Sequence, residues 1–232
     1  VNPLTINDLN SINKNSVDKD KKLVIANHNL NSLCLYHRNP KMQDFYKKAD
    51  YTHIDGMALI FLGKMFNFPL KKDYRVTYVD WVWSLMSVAA SKGWRVFYLG
   101  SKSGVAAKGA DILKKKYQGL EIATANGYFD PSPHGRENAD ILTKINQYQP
   151  HILMVGMGMP RQEKWILDNF KHINANTILP SGACLDYVAG EIPTPPRWLG
   201  RIGLEWLYRL VSEPGGLWKR YLLEPWFLLW LL

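Results

Sequence analysis

Apolar runs that alternate with helical patterns are the feature of this chain that most constrains its fold. Arg95–Gly100 (RVFYLG) and His151–Gly158 (HILMVGMG) are nearly continuous apolar segments, which predicts strands buried on both faces. Similar strands are predicted at Lys22–Ala26, Leu120–Ala125 and Thr177–Ala183. Strands of this kind separated by helices predict an α/β fold with a parallel sheet and helices on both faces.

Apolar residues at helical spacing predict helices in the segments between these strands. The predicted helices are Leu30–Lys48, Val79–Lys92, Val105–Tyr117, Asn138–Tyr148 and a helix from Met159-Pro160 to Phe170. A short segment at His53–Asp55 lies between the first two helices. Parallel sheets bind ligands at the carboxyl ends of their strands, so the polar residues just after each strand are the candidate site.

Composition narrows the class of partner. The chain has 232 residues, 47% hydrophobic residues and a formal net charge of +9, which describes a basic globular protein. Such a charge suits nucleic acid, an anionic membrane or a phosphorylated substrate. Cys34 and Cys184 have no CxxC partner and are predicted to be buried reduced thiols. Neither a signal peptide nor a run of about 18 apolar residues is found, which favours a cytoplasmic location without a spanning helix.

A proline-rich stretch, IPTPPRW, marks a change in composition and predicts a boundary between residues 1–194 and an appendage at residues 195–232. In the appendage, Trp198, Ile202 and Arg209 recur at helical spacing, which is typical of a helix at a membrane surface. An ordinary helix packed on the domain is the alternative. Nucleic-acid binding is disfavoured because bulky apolar residues dilute the basic ones. The cations predicted to meet lipid or diphosphate are Arg197, Arg201, Lys219 and Arg220.

Two glycine-containing turns are candidate nucleotide-binding segments. Gly100, Ser101 and Lys102 join a strand to a helix start, where backbone N–H groups and the helix dipole favour an anion. An ordinary strand-to-helix turn explains them equally well. Gly156 and Gly158 would let a ligand approach the backbone closely.

Polar groups follow the second of these turns at a helix start. Arg161, Gln162 and Glu163 stand there, and Gln162 and Glu163 are candidate substrate-binding residues. A tight turn with solvated charges is the alternative.

Other strand ends carry residues suited to acid–base chemistry. Asp55 in HIDGMALI stands where a buried acid can act as a base, although a helix N-cap is the simpler interpretation. Arg75 and Asp80 in RVTYVD form either a structural ion pair or substrate contacts. The histidines lack ligand spacing and no Asp-x-Asp pair occurs, so no essential metal is predicted.

The order of the motifs adds a resemblance. The stretches that carry it are IANHNLNSL, HIDGMALI, RVTYVD, VFYLGSK, NGYF, HILMVGMGMPRQEKWI, SGACLDYVAGEIPTPPRW and GLEWLYRLVSEP. They run from about Leu23 to Pro214 and resemble the bacterial glycosyltransferases named for WecG, TagA and CpsF, glycosyltransferase family 26. The resemblance implies a Rossmann-like domain with a helical, membrane-associating appendage. It also implies inverting transfer of a hexosyl or N-acetylhexosaminyl group from a UDP-sugar to an undecaprenyl-diphosphate-linked acceptor, in cell-surface polysaccharide synthesis at the inner face of the membrane.

Site residues follow from the same resemblance. Asp55 matches the family's proposed general base, and Asn29 and Gln162 match residues of the sugar pocket. Asn27 stands where a threonine is common. Arg209 matches an appendage arginine that neutralises the leaving diphosphate. The chain departs from the pattern at Gly216, where a second arginine is frequent, and Arg220 or Lys219 could replace it.

The implied chemistry is self-consistent without a cofactor. Inversion needs a carboxylate to deprotonate the attacking hydroxyl, and without a metal, arginines and a helix N-terminus must stabilise the departing UDP. Two alternatives remain: a non-catalytic scaffold at a membrane surface, and a NAD-dependent Rossmann enzyme, although no GxGxxG motif is present. The donor sugar, the polymer and the oligomeric state are left open.

Overall fold

A computed structural model describes residues 1–212 and residue 218 of the chain. These residues form one six-stranded sheet of strand order β2-β1-β6-β5-β3-β4, and every neighbouring pair of strands is parallel. The strands are β1 (Leu23–His28), β2 (Tyr51–Ile54), β3 (Arg95–Gly100), β4 (Glu121–Ala125), β5 (Ile152–Gly156) and β6 (Thr177–Pro180). The predicted Rossmann-like α/β class is confirmed.

Helices cover both faces of this sheet. They are α1 (Ile6–Asp18), α2 (Leu30–Arg38), α3 (Pro40–Lys48), α4 (Met57–Met65), α5 (Tyr78–Lys92), α6 (Val105–Lys116), α7 (Arg136–Tyr148), α8 (Arg161–Asn169), α9 (Cys184–Ala189), α10 (Arg197–Ile202) and α11 (Glu205–Ser212). Alternate residues of each strand enter opposite cores, since Ile25 of β1 packs with α5 and α9 while Val24 and Ala26 pack with α3 and α8. Burial on both faces explains why polar and apolar residues do not alternate along these strands.

The single helix predicted at Leu30–Lys48 is wrong, because the structure has two helices there. Asn39 caps the second one by accepting a hydrogen bond from Lys41 N, and Pro40 occupies its first turn. Proline has no N–H to donate to the preceding turn, so the first helix ends before it.

Three helices of the structure lie outside the segments in which helices were predicted. One is α1, whose sequence is largely polar; Thr5 and Asp8 form a capping box at its start, and Leu9 is fully buried. The others are α4, which begins two residues after Asp55, and the short α9. All three depend on tertiary packing more than on a clear helical period.

The appendage also differs from the predicted single interfacial helix. Gly203, with φ of 84°, ends α10 in the left-handed conformation, and α11 begins two residues later. Within residues 1–212 and 218, no helix is long and apolar enough to cross a membrane. Lys219, Arg220 and Gly216 lie outside the described residues, so their predicted roles stay predictions.

Candidate active site

Asp55 and two asparagines meet at the carboxyl edge of the sheet. Parallel pairing of β1 with β2 aligns Asn27 with His53, which brings the residues after both strands together. Asn27 Nδ2 donates to Asp55 Oδ2 at 3.0 Å, and Asn29 Nδ2 approaches the same oxygen at 3.4 Å. Two amide donors therefore orient a half-buried carboxylate at the edge where α/β folds bind their ligands.

Local structure holds both asparagines in place. Asn29 is the N-cap of α2, and its Oδ1 accepts from Ser32 N at 3.0 Å, which fixes the direction of its amide. Asn27 is buried, and its backbone oxygen accepts from the Tyr46 hydroxyl at 2.8 Å. The N-cap residue of α4 is Gly56, so the alternative of Asp55 as a helix N-cap is not what the structure has.

Gln162 joins the turns that follow β5 and β6. Its Oε1 accepts from Gly158 N at 3.2 Å and from Gly182 N at 3.1 Å, and its Nε2 donates to Glu163 Oε1 at 2.7 Å. The side chain is buried, and these bonds fix the position of both backbone turns. The structure thus gives Gln162 a clear architectural task at the place where the sequence predicts substrate contact.

Glu163 is a fully buried acid beside Gln162. Its Oε2 has no hydrogen-bond partner among the described residues. Burial raises its pKa to about 7, and the hydrogen bond from Gln162 acts in the opposite direction. The alternative of a solvated charge does not hold for Glu163, because α8 turns this side chain into the interior, and its predicted substrate contact stays a prediction.

Aromatic residues that the sequence did not single out line this region. The Tyr46 ring stacks on His28 with ring centroids 3.9 Å apart. Burial raises the Tyr46 and Tyr78 pKa values, and the Glu163 and Asp55 carboxylates raise both further. Tyr46 lies in no motif, and Tyr78 lies in RVTYVD, where the sequence analysis singled out only Arg75 and Asp80.

Neither buried histidine of this region is charged at neutral pH. Burial lowers the pKa of both His28 and His53 to about 4. Asp55 and Glu163 are the carboxyl groups of this region, and both act on the Tyr46 and Tyr78 hydroxyls.

The two glycine turns lie side by side but differ in openness. A Cβ on Gly100 would fall 2.4 Å from Gly156 O, and a Cβ on Gly156 would lie 2.5 Å from Gly182 O, so both positions need glycine for close strand packing. Gly158 has φ of 77° and open space around its Cα. The turn after β5 therefore leaves room beside the backbone.

The turn after β3 is filled by the protein itself. Ser101 is buried with φ of 60°, and its hydroxyl donates to Asp186 Oδ2 at 2.8 Å. Lys102 next to it is exposed and precedes α6. The predicted phosphate contacts of Gly100, Ser101 and Lys102 stay predictions, and Lys102 is the member of this turn whose side chain reaches solvent.

Arg75 and Asp80 belong to a network of four charges. Arg75 donates to Asp80 Oδ2 at 3.0 Å and to Glu205 Oε2 at 2.5 Å. Arg197 pairs with Asp80 and lies 3.5 Å from Glu205 Oε1. We call these four residues the tail network, because they tie α10 and α11 to the start of α5.

Arg75 and Asp80 form the ion pair that was one of the two interpretations the sequence allowed, and their predicted substrate contacts stay a prediction. The tail network also engages Arg197, which the sequence predicted to meet lipid or diphosphate. Glu205, the fourth member, lies in the GLEWLYRLVSEP stretch, but the sequence predicted no site role for it.

Arg209 lies on α11 with its guanidinium 5.9 Å from the centre of the Tyr187 ring. Tyr187 also lines a cavity of about 220 Å³ between α5 and α9, whose rim includes Asp80 and Arg197. Arg201 lies in α10.

Among the described residues, no group of three or more His, Cys, Asp or Glu side chains could hold a metal ion.

Sequence comparisons add the family to this geometry. Residues 1–232 match the glycosyl transferase WecG/TagA/CpsF family. The chain belongs to this family. A Bacillus spizizenii protein named N-acetylglucosaminyldiphosphoundecaprenol N-acetyl-beta-D-mannosaminyltransferase is 29% identical over 189 residues, which cover 81% of this chain and 70% of that protein. A Staphylococcus aureus protein of the same name is 24% identical over 209 residues, 86% of this chain and 78% of that protein.

Proposed function

We propose that this chain is an inverting glycosyltransferase that moves a sugar from a UDP-sugar to a hydroxyl of a polyprenyl-diphosphate-linked sugar. The observation that carries the proposal is the Asp55 carboxylate, held by Asn27 and Asn29 at the carboxyl edge of a sheet in a glycosyl transferase family member. The names of the relatives support an undecaprenyl-diphosphate acceptor and an N-acetylhexosaminyl donor.

In this proposal Asp55 is the general base. It takes the proton of the acceptor hydroxyl as that oxygen bonds to the anomeric carbon of the donor. The bond from the anomeric carbon to UDP breaks, and its electron pair leaves with the UDP phosphate. General-base catalysis of this kind contributes about 10²–10⁴-fold to the rate.

The departing UDP needs positive charge near its phosphates. We assign this task to Arg209 on α11, with the open turn at Gly158 and the exposed Lys102 as candidate nucleotide contacts. Cationic side chains, without a bound cofactor, supply the stabilisation in this scheme. The enzyme would then act as a peripheral protein at the inner face of the bacterial cytoplasmic membrane, where its lipid acceptor resides.

A donor screen tests the proposal. The full chain is mixed with a synthetic lipid-diphosphate N-acetylglucosamine acceptor and a panel of UDP-sugars, with GDP- and TDP-sugars as controls. We expect acceptor-dependent release of UDP from a UDP-N-acetylhexosamine. The disaccharide product should have a new linkage whose anomeric configuration is opposite to that of the donor. Absence of acceptor-dependent product from every UDP-sugar would contradict the proposal.

Arg209 has its own test within this assay. Arg209→Ala is expected to lower kcat strongly, because the leaving group loses a charge-assisted hydrogen bond. Arg209→Lys should recover part of kcat, since it keeps the charge but not the forked geometry. Equal activity of Arg209→Ala and the wild type would remove Arg209 from the mechanism.

A further inference from the structure

The end of α4 presents an unusual group of exposed apolar side chains. Phe61, Met65, Phe66 and Phe68 are 48%, 63%, 48% and 61% exposed, and we call this group the α4 tip. Single exposed apolar residues are common on protein surfaces, but a contiguous group marks a contact site. Three of the four are phenylalanines, whose rings have no polar atom to interact with water.

Backbone hydrogen bonds hold the α4 tip in an ordered turn. Asn67 has φ of 61°, Asn67 N donates to Lys64 O at 3.0 Å, and Phe68 N donates to Gly63 O at 2.9 Å. This is the Schellman arrangement, which ends a helix with a fixed change of direction. Phe66 and Phe68 are therefore presented to solvent on either side of Asn67 by a defined backbone.

Basic residues surround the α4 tip. Lys64, Lys71 and Lys72 are exposed, and none of them forms an ion pair with another residue of the described part of the chain. Asp73 is the neighbouring acid. An apolar centre with cations around it matches the two layers of an anionic bilayer surface, where acyl chains lie beneath negative headgroups.

The α4 tip continues into the appendage. A Cβ on Gly203 would lie 2.7 Å from the Phe61 ring, so the end of α10 packs directly against α4. Trp198 and Ile202 of α10 are 60% and 50% exposed. The two groups together form one apolar surface built from parts of the chain more than a hundred residues apart in sequence.

We propose that the α4 tip docks on an anionic membrane surface, with Phe66 and Phe68 inserted among the lipids and Lys64, Lys71 and Lys72 on their headgroups. The membrane contact then comes from the catalytic domain as well as from the appendage. This contact follows from the exposed residues alone and does not require the transfer reaction.

A consequence for catalysis does rest on the proposed function. The α4 helix begins two residues after Asp55 and has nine residues, so the acid lies about 13 Å from the end of the helix, where Phe66 and Phe68 follow. The headgroup layer of a bilayer is roughly 5–8 Å thick on each side. Insertion of these two rings would therefore keep Asp55 close to a sugar attached to a lipid diphosphate.

Vesicle sedimentation of the full chain tests the docking. The vesicles are phosphatidylcholine alone or phosphatidylcholine mixed with phosphatidylglycerol. Phe66→Ser with Phe68→Ser should weaken binding to the mixed vesicles by at least about tenfold, because two inserted rings are lost. Lys71→Glu with Lys72→Glu should weaken binding to the mixed vesicles by about tenfold and leave binding to phosphatidylcholine unchanged.

Matched controls lie on α6, near the opposite edge of the sheet. Ile112→Ser removes an exposed apolar residue, and Lys114→Glu with Lys115→Glu reverses two exposed lysines. Both should bind the mixed vesicles like the wild type, and thermal melting should confirm that all variants fold. Equal binding of the Phe66/Phe68 variant and the Ile112 variant would overturn the proposal.

A second copy of the chain is the competing occupant of this surface. Sedimentation velocity without vesicles would then give a concentration-dependent dimer that the Phe66/Phe68 variant abolishes, and that result would also overturn the proposal. Vesicle binding is read out without any sugar transfer. Failure of the docking and failure of the proposed reaction are therefore separate results.

Discussion

Two polar clusters at the same edge of the sheet use their charges in different ways. In the tail network, Arg75 and Arg197 face Asp80 and Glu205, so two cations balance two carboxylates. At the ends of β1 and β2, neutral amides of Asn27 and Asn29 orient the carboxylate of Asp55. The first arrangement fixes a tail to the domain, whereas the second positions an acid without neutralising its charge.

The difference shows why similar residues at strand ends do not have similar tasks. Asp55 and Asp80 both stand near the carboxyl edge, and each follows an arginine- or histidine-containing segment. Asp80 is bound by two guanidinium groups of the tail network, whereas Asp55 is bound by neutral amides and faces the edge where a ligand would lie.

The largest expected effect is a contrast between two matched aspartate substitutions. Asp55→Asn should lower kcat by about 10²–10⁴-fold, because the amide cannot accept the acceptor's proton. Asp80→Asn should lower stability while leaving kcat within about tenfold, because it removes ion pairs of the tail network but leaves the Asp55 carboxylate and its two amide partners in place. Transfer assays and urea unfolding of both variants measure the contrast. A non-catalytic scaffold predicts unchanged function for Asp55→Asn.

The second-largest expected effect is on the pH dependence of stability, which Glu163→Gln tests by removing the buried acid. Its pKa is raised from 4.5 to about 7, so the folded state keeps a proton that the unfolded state loses. This group therefore removes stability as pH rises from about 4.5 to 7, by roughly 3 kcal/mol from the size of the shift. In Glu163→Gln, the difference in unfolding free energy between pH 5 and pH 8 should shrink by that amount.

Urea unfolding at the two pH values measures this loss. Glu205→Gln is the control, because Glu205 is paired with Arg75 in the folded state. An unchanged pH dependence in Glu163→Gln would mean that Glu163 is ionised in the folded protein.

Arg75→Met should destabilise the fold by about 2 kcal/mol, because it leaves Asp80 and Glu205 without their most buried partner. The Arg75 side chain is only 9% exposed. Urea unfolding measures the change, and Lys114→Met on the surface of α6 should change stability by less than about 0.5 kcal/mol. If the two variants are equally stable, the tail network does not anchor the appendage.

Arg197→Met should have the smallest effect, a loss of at most about 1 kcal/mol, because solvent screens an ion pair that is partly exposed. Its side chain is 35% exposed, compared with 9% for Arg75. Thermal unfolding at low and high salt measures the difference. A loss larger than that of Arg75→Met would reverse the ranking of the two arginines by burial.

The sequence was sufficient to predict the strands that lie in the middle of the sheet. β3 was predicted with its observed bounds and β5 within two residues, because a strand buried on both faces leaves a continuous apolar run. The placement of Asn27, Asn29 and Asp55 at the carboxyl ends of their strands was also predicted, whereas the hydrogen bond between Asn27 and Asp55 was not, because the sequence does not show which strands are neighbours. Largely polar α1 was not predicted, because its stability comes from a capping box and a few buried residues.

Contacts between distant segments could not be predicted in the same way. Gln162 bonds to Gly182 across two loops, and Arg75 bonds to Glu205 at a separation of 130 residues. Similarly, nothing local distinguishes Phe66 and Phe68, which are exposed, from phenylalanines that enter the core. Burial depends on which elements pack nearby, and that information is absent from a single segment.

The sequence by itself determined the parallel α/β class, because apolar periodicity is a local property of the chain, and through the family resemblance it marked Asp55 as a candidate base. Only the tertiary structure decided which charges are neutralised by partners inside the protein. It also decided that Glu163 is buried and that the end of α4 joins the appendage in one apolar surface. These outcomes depend on the desolvation and pairing of groups from separate segments, and both are set when the segments pack together.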